Sequence, residues 1–313
     1  MAAKQKVTGY GGRKSLGRHF RKYWQLYAMM LIPIIYYIIF RYVPMLGNII
    51  AFRRYRAGSS ILGDEWSGFK YFRQFIHDSN FWRSFRNTLL LNGKYLLISF
   101  PVTIIFALLL NEIKNMKFKK FVQTITYLPH FISIVIVAGM IRELLSTSGP
   151  INNAIVASGG EAIQFISLPQ WFTTIFVASG IWQGLGWNTI LYLAAMSGIN
   201  PELYEAASLD GAGRFKQALH VTIPGILPTI MTLLILNIGS LCGSVAFEKV
   251  MLLYQPTTYE TADIIATYVY RMGLGSGNYS YATAVGLFQG IINVVLLTAA
   301  NVFSKRTTGS SLY

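Results

Sequence analysis

Charged residues are scarce in this sequence of 313 residues. Only 12% are charged and 53% are hydrophobic, whereas a soluble globular domain carries about 25% charged residues. Such a composition is typical of a protein whose helices cross a membrane several times. We therefore interpret the net charge of +15 as a sign of membrane orientation and of contact with anionic lipids, not of nucleic-acid binding.

The chain is also poor in groups that carry out catalysis. Cysteine occurs once, at Cys242, so no disulfide and no cysteine metal site can form within one chain. The four histidines are scattered, and no spacing typical of a metal site or of an activated nucleophile is present. A Walker motif is missing as well. We predict a protein that is not an enzyme and binds no metal or cofactor itself.

Six apolar segments each approach the roughly 20 residues that a helix needs to cross a bilayer. They cover residues 24–43, 87–111, 121–144, 171–197, 224–247 and 281–303. These segments predict an all-α polytopic membrane protein with six transmembrane helices. The regions are a basic tail at 1–23, a first transmembrane helix at 24–43, an external loop at 44–86, a transmembrane core at 87–304 and a C-terminal tail at 305–313.

Basic residues predict the orientation of the chain. Residues 1–22 contain seven basic residues and no acidic one. Others lie between the second and third segments, between the fourth and fifth, and at the end: Lys114, Lys117, Lys119, Lys120, Arg214, Lys216, Lys305 and Arg306. Because basic residues collect on the cytoplasmic side, we expect both termini inside. The basic residues of the loop 44–86 oppose this orientation, but the inside total is larger.

Two parts of the loop 44–86 mix aromatic and basic residues. These parts are residues 69–76 and 81–88, and such a mixture is typical of short helices that lie in the membrane interface. Such a surface either receives a partner outside the membrane or only anchors the loop.

Some polar and small residues of the apolar segments have structural interpretations. We expect His130 to be a packed, hydrogen-bonded core residue and not a ligand or proton carrier. Glu248 and Lys249 are interpreted as a local ion pair, with a gate contact as the alternative. Glycines spaced by four residues predict close helix contacts, and the pairs are Gly180 and Gly184, Gly239 and Gly243, and Gly286 and Gly290.

The longest polar interruption in the second half of the chain is residues 202–228. Asn200-Pro201-Glu202 is a helix-start signal, and a helical run, Leu203–Leu209, follows it. Residues 210–213 should break that helix, since glycine and aspartate favour turns. A second short helix is predicted from Arg214 to His220, ending before the next apolar segment. Composition alone would suggest an ordinary cytoplasmic loop.

The order of residues in this loop is specific. Glu205-Ala206-Ala207, two residues, Asp210-Gly211-Ala212, eight residues and Val221-Thr222-Ile223-Pro224 follow without a gap. This order resembles the EAA loop of membrane subunits of binding-protein-dependent ABC importers, whose last element is Ile-x-Leu-Pro. Val221 and Ile223 depart from that element, and both changes are conservative.

The resemblance covers residues from about 25 to 305. Phe85-Arg86-Asn87-Thr88, Tyr127-Leu128-Pro129 and the segment from Met196 to Pro201 are similar to the core of this family. The opening span and the segment from Ile50 to Tyr55 are similar to its sugar-uptake branch, especially importers of oligosaccharides and polysaccharide fragments. The resemblance implies a multi-pass protein of a bacterial cell membrane.

The resemblance also implies partners and roles. The loop at 198–228 would be a coupling element that sits in a cleft of an ATPase subunit, and the residues that carry this role are Glu205, Ala206, Ala207, Asp210, Gly211, Ala212 and Pro224. The expected partners are a second homologous permease subunit, two ATPase subunits that bind ATP and Mg²⁺, and an extracytoplasmic solute-binding protein or lipoprotein. The cargo would be a saccharide.

Polar residues of the fourth and fifth segments are candidates for the transport path. Gln183 and Trp187 lie four apart, and Asn237 and Ser240 three apart, so each pair shares a helix face. Aromatic rings that stack on sugar faces and amides that bind hydroxyls are typical of saccharide sites. Hydrogen bonding between helices is the alternative interpretation. The predicted path residues are Gln183, Trp187, Asn188, Tyr192, Asn237, Ser240 and Ser244.

An ion-coupled secondary transporter of a small polar solute is the alternative function. Such a transporter requires acidic residues in the middle of its spans. The apolar segments contain acids only near their ends, at Glu112, Glu143 and Glu248. The sequence therefore favours transport driven by ATP hydrolysis in other subunits.

Overall fold

The structure is a computed structural model that describes residues 16–60, 65–243, 246–309 and 311. It is mainly helical. The helices are α1 (Leu16–Tyr37), α2 (Lys70–Ile76), α3 (Ser79–Glu112), α4 (Met116–Tyr127), α5 (Ile134–Leu144), α6 (Pro150–Ala157), α7 (Pro169–Ser197), α8 (Pro201–Leu209), α9 (Arg214–Gln217), α10 (Ile223–Gly239), α11 (Phe247–Leu253), α12 (Tyr259–Ala262), α13 (Ile265–Tyr270) and α14 (Tyr279–Thr308). Shorter helical turns extend or connect them at Ile38–Tyr42, Val43–Leu46, Gly47–Phe52, Leu128–Phe131, Ala218–Thr222, Pro256–Thr258 and Arg271–Gly275. Two short antiparallel strands, β1 (Arg53–Arg54) and β2 (Glu65–Trp66), complete the described part.

Four helices of the described chain are long and apolar enough to cross a membrane: Arg21–Phe52, Ser79–Glu112, Arg214–Gly239 and Tyr279–Arg306. A fifth candidate is bent by 97° between Phe131 and Ile134, within the segment 121–144 that was predicted to form one span. The predicted fourth span is the continuous helix α7. It is not among the candidates, although it is 29 residues long, because its glutamines, asparagine and tryptophans lower its hydropathy.

The first span contacts the rest of the described chain at its C-terminal end. It continues past the predicted end at residue 43 as far as Phe52, and no residue of its most apolar window is buried. Apolar side chains exposed along a helix are stable in a bilayer, because lipid tails solvate them and the helix backbone is hydrogen-bonded internally. The last turns, Gly47–Phe52, pack against α14, and Ala51 is buried in one of the three hydrophobic clusters that the described helices form.

Glycines let α7 approach two neighbouring helices. A Cβ atom at Gly180 would lie 2.7 Å from a ring carbon of Tyr95 on α3, and one at Gly186 would overlap the carbonyl of Thr126 on α4. The predicted close contact at Gly180 is therefore confirmed. At Gly239, a Cβ would lie 2.6 Å from the Leu297 side chain of α14.

The third predicted glycine pair behaves differently. Gly286 and Gly290 have no described atom within 4 Å of where a Cβ would lie, so the structure does not show the close contact predicted there. Their helix, α14, instead packs against α10 around Gly239.

An aromatic cluster joins the loop 44–86 to the second half of the chain. Its buried rings include Phe75, Phe81, Tyr268 and Tyr281. The first aromatic and basic segment forms α2 as a separate short helix. The second does not, since α3 begins at Ser79 and continues through it. The aromatic cluster holds these first turns in place, which corrects the prediction of a second interfacial helix at 81–88.

Asp78 fixes the start of α3. Its carboxylate accepts a hydrogen bond from the Asn80 N–H at 2.8 Å, as an N-cap residue does. It also accepts hydrogen bonds from the hydroxyls of Tyr268 at 2.5 Å and Tyr281 at 3.2 Å. Burial by itself would raise the pKa of Asp78, but these hydrogen bonds to the charged form outweigh it and lower the pKa.

A buried ion pair lies beside this cluster. The Arg271 guanidinium donates to both carboxylate oxygens of Asp263, at 3.1 and 2.7 Å, and the side chain of Asp263 is fully buried. Ser84 and Thr267 donate to the same carboxylate at 3.1 and 2.9 Å. The pair therefore joins α3 to the segment that surrounds α13.

We predict that Arg271→Met destabilises the protein by about 3–5 kcal/mol, because it leaves the buried Asp263 carboxylate without its counter-charge. The matched control is Arg214→Met, which removes an exposed pair with Glu112 at 3.8 Å that contributes less than about 1 kcal/mol. Thermal unfolding in detergent would measure both changes. Equal, small shifts for the two variants would contradict the structural role of the buried pair.

Candidate functional site

The loop at 198–228, called the coupling loop after its predicted role, contains a helix, a glycine turn and a second helix, as predicted. Asn200 caps α8 by accepting a hydrogen bond from the Glu202 N–H at 3.1 Å, and Pro201 occupies the first turn. At the other end of α8, the N–H of Gly211 bonds to the Ser208 carbonyl. The helix thus begins and ends where the sequence predicts.

Gly211 has a conformation that favours glycine. Its φ is +76°, and the N–H of the next residue, Ala212, donates to the Ala207 carbonyl at 2.8 Å. Together with the Gly211 bond, this is the Schellman arrangement that ends many helices. Because a side chain is strained at this backbone angle, glycine at position 211 sets the direction in which the loop leaves α8.

Two side chains fasten the two halves of the loop to each other. The Gln217 amide donates to the Ser208 hydroxyl at 2.9 Å and to the Ala212 carbonyl at 2.8 Å. The Tyr204 hydroxyl lies 3.0 Å from that of Thr222. These bonds hold α8 against the beginning of the following long helix, so the loop is a folded unit.

The predicted second helix does not end before Pro224. Instead, α9, the π-turn Ala218–Thr222 and α10 form one continuous helix, Arg214–Gly239. Proline has no N–H for the carbonyl four residues earlier, so a helix that contains it must adjust locally. The wide π-turn is that adjustment, with the Ile223 N–H bonded to the Ala218 carbonyl. The prediction of a break at this point was wrong.

The surface of the loop combines small, acidic and apolar residues. Glu205, Ala206, Asp210 and Gly211 are exposed, and Ala207 and Ala212 are partly buried. Two large apolar side chains that the sequence analysis did not select are also exposed: Leu209 at 90% and Phe215 at 77%. Exposed apolar groups of this size next to small residues are typical of a docking surface for another protein.

A polar cavity of about 430 Å³ lies between α3, the bend after α4, α7 and the end of α10. Four of the predicted path residues line it: Gln183, Asn188, Asn237 and Ser240. The structure therefore brings the polar faces of the fourth and fifth predicted segments together. A larger cavity of about 590 Å³, near Tyr270 and α14, is lined mostly by apolar side chains.

On the α7 side, the cavity is lined by amides and by the ring of His130. Trp187 of α7 does not line the cavity but stacks on His130, with ring centroids 4.4 Å apart and planes at 3°. Gln183 donates to the Ile132 carbonyl at 3.2 Å and so holds the bend between α4 and α5. Asn188 is exposed to the cavity. His130 is itself exposed, which corrects the expectation of a packed core histidine.

On the α10 side, two polar residues lie where the helix ends. Asn237 donates to the Leu233 carbonyl at 2.7 Å, and the Ser240 hydroxyl donates to the Asn237 carbonyl at 2.9 Å. The helix ends at Gly239, short of the predicted residue 247. Asn92 of α3 fastens the chain beyond it by donating to the Leu241 carbonyl at 2.7 Å.

Three predicted path residues are not among those that line the cavity. Trp187 stacks on His130 but is not a lining residue itself. Tyr192 is only 2% exposed and belongs to a hydrophobic cluster with Met196 and Ile226. Its side chain lies where α7 packs against α3 and α10, and not at the cavity. Ser244 lies outside the described residues.

The cavity carries a positive charge that the sequence pattern does not reveal. Lys249 is 7% exposed, lines the cavity, and donates from Nζ to the Phe176 carbonyl at 3.1 Å. Its ammonium also lies 5.0 Å from the centre of the Phe176 ring. Among the described residues it forms no ion pair with Glu248 or with any other carboxylate, so the predicted local pair is not formed. Only the tertiary contacts of α11 with α7 reveal this lysine.

A chain with several apolar spans, a folded coupling loop and a polar cavity between helices has the architecture of a membrane-spanning transport subunit. Residues 98–309 match the family model described as "Binding-protein-dependent transport system inner membrane component". This match covers more than half of the chain, and the protein belongs to that family. The resemblance found in the EAA loop is thereby confirmed.

Two proteins of Bacillus subtilis (strain 168) are similar to this chain over most of their length. The polygalacturonan/rhamnogalacturonan transport system permease protein YteP is 45% identical, with 92% of this chain and 90% of YteP covered. Protein LplB is 42% identical, with 92% and 91% covered.

Two solved structures are also similar. A chain of a bacterial ABC transporter involved in the import of the acidic polysaccharide alginate is 44% identical, with a TM-score of 0.86 over 94% of this chain and 100% of that one. A chain of the bacterial alginate ABC transporter in complex with an alginate pentasaccharide-bound periplasmic protein is 43% identical, with a TM-score of 0.87 over 96% and 100%.

We predict that Asn237→Leu weakens transport without preventing assembly. Loss of one hydrogen bond of about 0.5–1.5 kcal/mol should raise the solute concentration for half-maximal uptake by about twofold to tenfold. Thr232→Val is the control, since Thr232 lies on the same helix, bonds to the Pro228 carbonyl and does not line the cavity. Uptake by the assembled importer would measure both, and unchanged kinetics for Asn237→Leu would remove this residue from the path.

Proposed function

We propose that this ABC permease subunit forms half of an alternating-access pathway for an oligosaccharide or polysaccharide fragment. The polar cavity carries this proposal. His130, held by stacking on Trp187, provides a flat ring, and Asn188 and Asn237 provide amides, which are the groups that bind sugar rings and hydroxyls. The similarity to YteP and to chains of alginate importers supports a saccharide as cargo.

We further propose that the coupling loop docks into a cleft of an ATPase subunit. The exposed side chains of Leu209 and Phe215 supply apolar contact area, while Ala206 and Gly211 allow a partner backbone to approach closely. Glu205 and Asp210 provide acceptors for donors of the partner. ATP and Mg²⁺ would bind to the two ATPase subunits, and closure of those subunits would move the loop as a rigid body.

The loop and the cavity are joined by two helices. α7 ends at Ser197, just before the loop, and carries Gln183 and Asn188. The continuous helix Arg214–Gly239 begins in the loop and carries Asn237 in its last turn. A helix of 26 residues spans about 39 Å, so a displacement of the loop would reach the cavity through rigid elements.

A second, related permease subunit would complete the pathway, and an extracytoplasmic solute-binding protein would deliver the saccharide. The aromatic and basic surface of α2 and of the start of α3 is a candidate for that contact. We propose six spans with both termini in the cytoplasm of a bacterial cell, which places the coupling loop on the side where ATP is available.

The structure gives an ion-coupled transporter little support. Such transport needs an acid that takes up and releases an ion within the spans. Among the buried residues that the structure describes, the one carboxylate is that of Asp263, and Arg271 neutralises it through two hydrogen bonds.

We predict that Glu205→Lys weakens retention of the ATPase by at least about tenfold, equivalent to ~1.4 kcal/mol, because a cation replaces an acceptor at the docking surface. Glu161→Lys is the control. Glu161 is exposed near the start of α7, at the end of that helix away from the loop. Co-purification of the ATPase and saccharide uptake would be measured together, and normal values of both for Glu205→Lys would refute the docking assignment.

The proposed orientation predicts that a reporter fused after Tyr313 remains in the cytoplasm. Basic residues of the tails and of the loops beside the spans favour this side. A membrane-impermeant reagent applied to intact cells should fail to label the reporter and should label it after the membrane is opened. Labelling in intact cells would reverse the topology.

A further inference from the structure

A buried, positively charged side chain in the polar cavity has no counter-charge among the residues that the structure describes. Lys249 is 93% buried, the complement of its 7% exposure. One N–H of its ammonium donates to the Phe176 carbonyl, and no carboxylate of the described residues lies within 4.0 Å. An ammonium has three donors, so the side chain has capacity for further acceptors. Removing a cation from water without a paired anion is costly.

The surrounding helices make room for this ammonium. A Cβ at Gly180 would lie 3.4 Å from Lys249 Nζ and 2.7 Å from the Tyr95 ring. A larger residue on α7 would therefore displace the lysine or the tyrosine. The Phe176 ring lies 5.0 Å from the ammonium and contributes an attraction between cation and ring. The site around Lys249 is thus built from α3, α7 and α11.

The cavity itself lies open beside the lysine. Asn188 and Asn237 supply amides, and His130 supplies a ring, for contact with a sugar. Glu248 lines the cavity as well, but it is exposed and not bonded to Lys249. A substrate that brings its own carboxylate would supply the missing counter-charge.

We propose that Lys249 recognises the carboxylate of an acidic sugar, so that the cavity selects uronate-containing oligosaccharides over neutral ones of the same shape. This inference rests on the proposed saccharide transport and specifies its substrate class. In the occupied state, the ammonium keeps its bond to the Phe176 carbonyl and donates a second hydrogen bond to a uronate carboxylate. Charge-assisted bonds of this kind are about twice as strong as neutral ones.

Uptake of matched acidic and neutral sugars by the complete importer, with its binding protein, tests this role. The probes are short oligogalacturonates and the same oligosaccharides with all carboxylates methyl-esterified, both below saturation. We expect the parent protein to take up the acid at least about tenfold faster than the ester. Lys249→Gln should lower acid uptake about tenfold and leave ester uptake nearly unchanged, since loss of a charged hydrogen bond has an effect of this size.

Two further variants separate recognition from folding. Lys249→Arg keeps the charge and should retain more than about a third of the acid uptake. Lys94→Gln makes the same chemical change at an exposed lysine of α3 that does not line this cavity, and it should change neither uptake. Co-purification of the partner subunits with each variant would show that assembly is intact.

Three results would overturn the inference. Equal uptake of acid and ester by the parent protein would show that the carboxylate is not recognised. Equal loss of both sugars in Lys249→Gln, or loss of the second permease, would assign the lysine to packing or to a subunit contact. Uptake of neutral oligosaccharides only would reject the acidic substrate class while leaving saccharide transport in place. If the parent protein took up no saccharide at all, the proposed function itself would fail.

Discussion

Helix α7 can lie against both α3 and α4 because glycine occupies the two crossing points. At Gly186 the Thr126 carbonyl takes the space of a side chain, and at Gly180 the Tyr95 ring does so. In a membrane, helices associate through close packing and hydrogen bonds, since lipid is as apolar as the helix surfaces. These two contacts position the polar residues of α7, and the cavity depends on them.

The close packing of these helices also explains why polar side chains are tolerated in the cavity walls. Gln183 bonds to the main chain at the bend after α4, and Asn92 bonds to the main chain just beyond α10. The backbone carbonyl at each of these positions has no partner within a regular helix. The side-chain amide donates the hydrogen bond that water would otherwise supply. The irregular backbone at both places therefore borders a polar space, and the bends and the cavity are parts of one arrangement.

The coupling loop depends on local chemistry instead. The positive φ of Gly211, the cap by Asn200 and the amide of Gln217 define its shape within twenty residues. Because these interactions are short-range, the loop is one folded unit with the helix that leaves it. Under the proposed function, ATP-driven movement enters here and reaches Asn237 along that helix, while the buried pair of Asp263 and Arg271 stabilises the other end of the subunit.

Local patterns in the sequence determined the fold class and the shape of the coupling loop. They predicted a helical membrane protein, the family, the limits of α8 and the turn at Gly211, because hydropathy, capping and glycine act over a few residues. They also selected Gln183, Asn188, Asn237 and Ser240, since a helix period places polar residues on one face. The roles of the coupling and path residues remain predictions.

Tertiary structure decided what the local patterns could not. Proline at 224 suggested a helix end, but a π-turn absorbs it within one long helix. Tyr192 looked like a path residue and is a packing residue, whereas Lys249 looked like half of a local ion pair and lies alone against α7. For Tyr192 and Lys249 the outcome depends on which distant helix lies opposite the side chain, and a sequence window does not contain that neighbour.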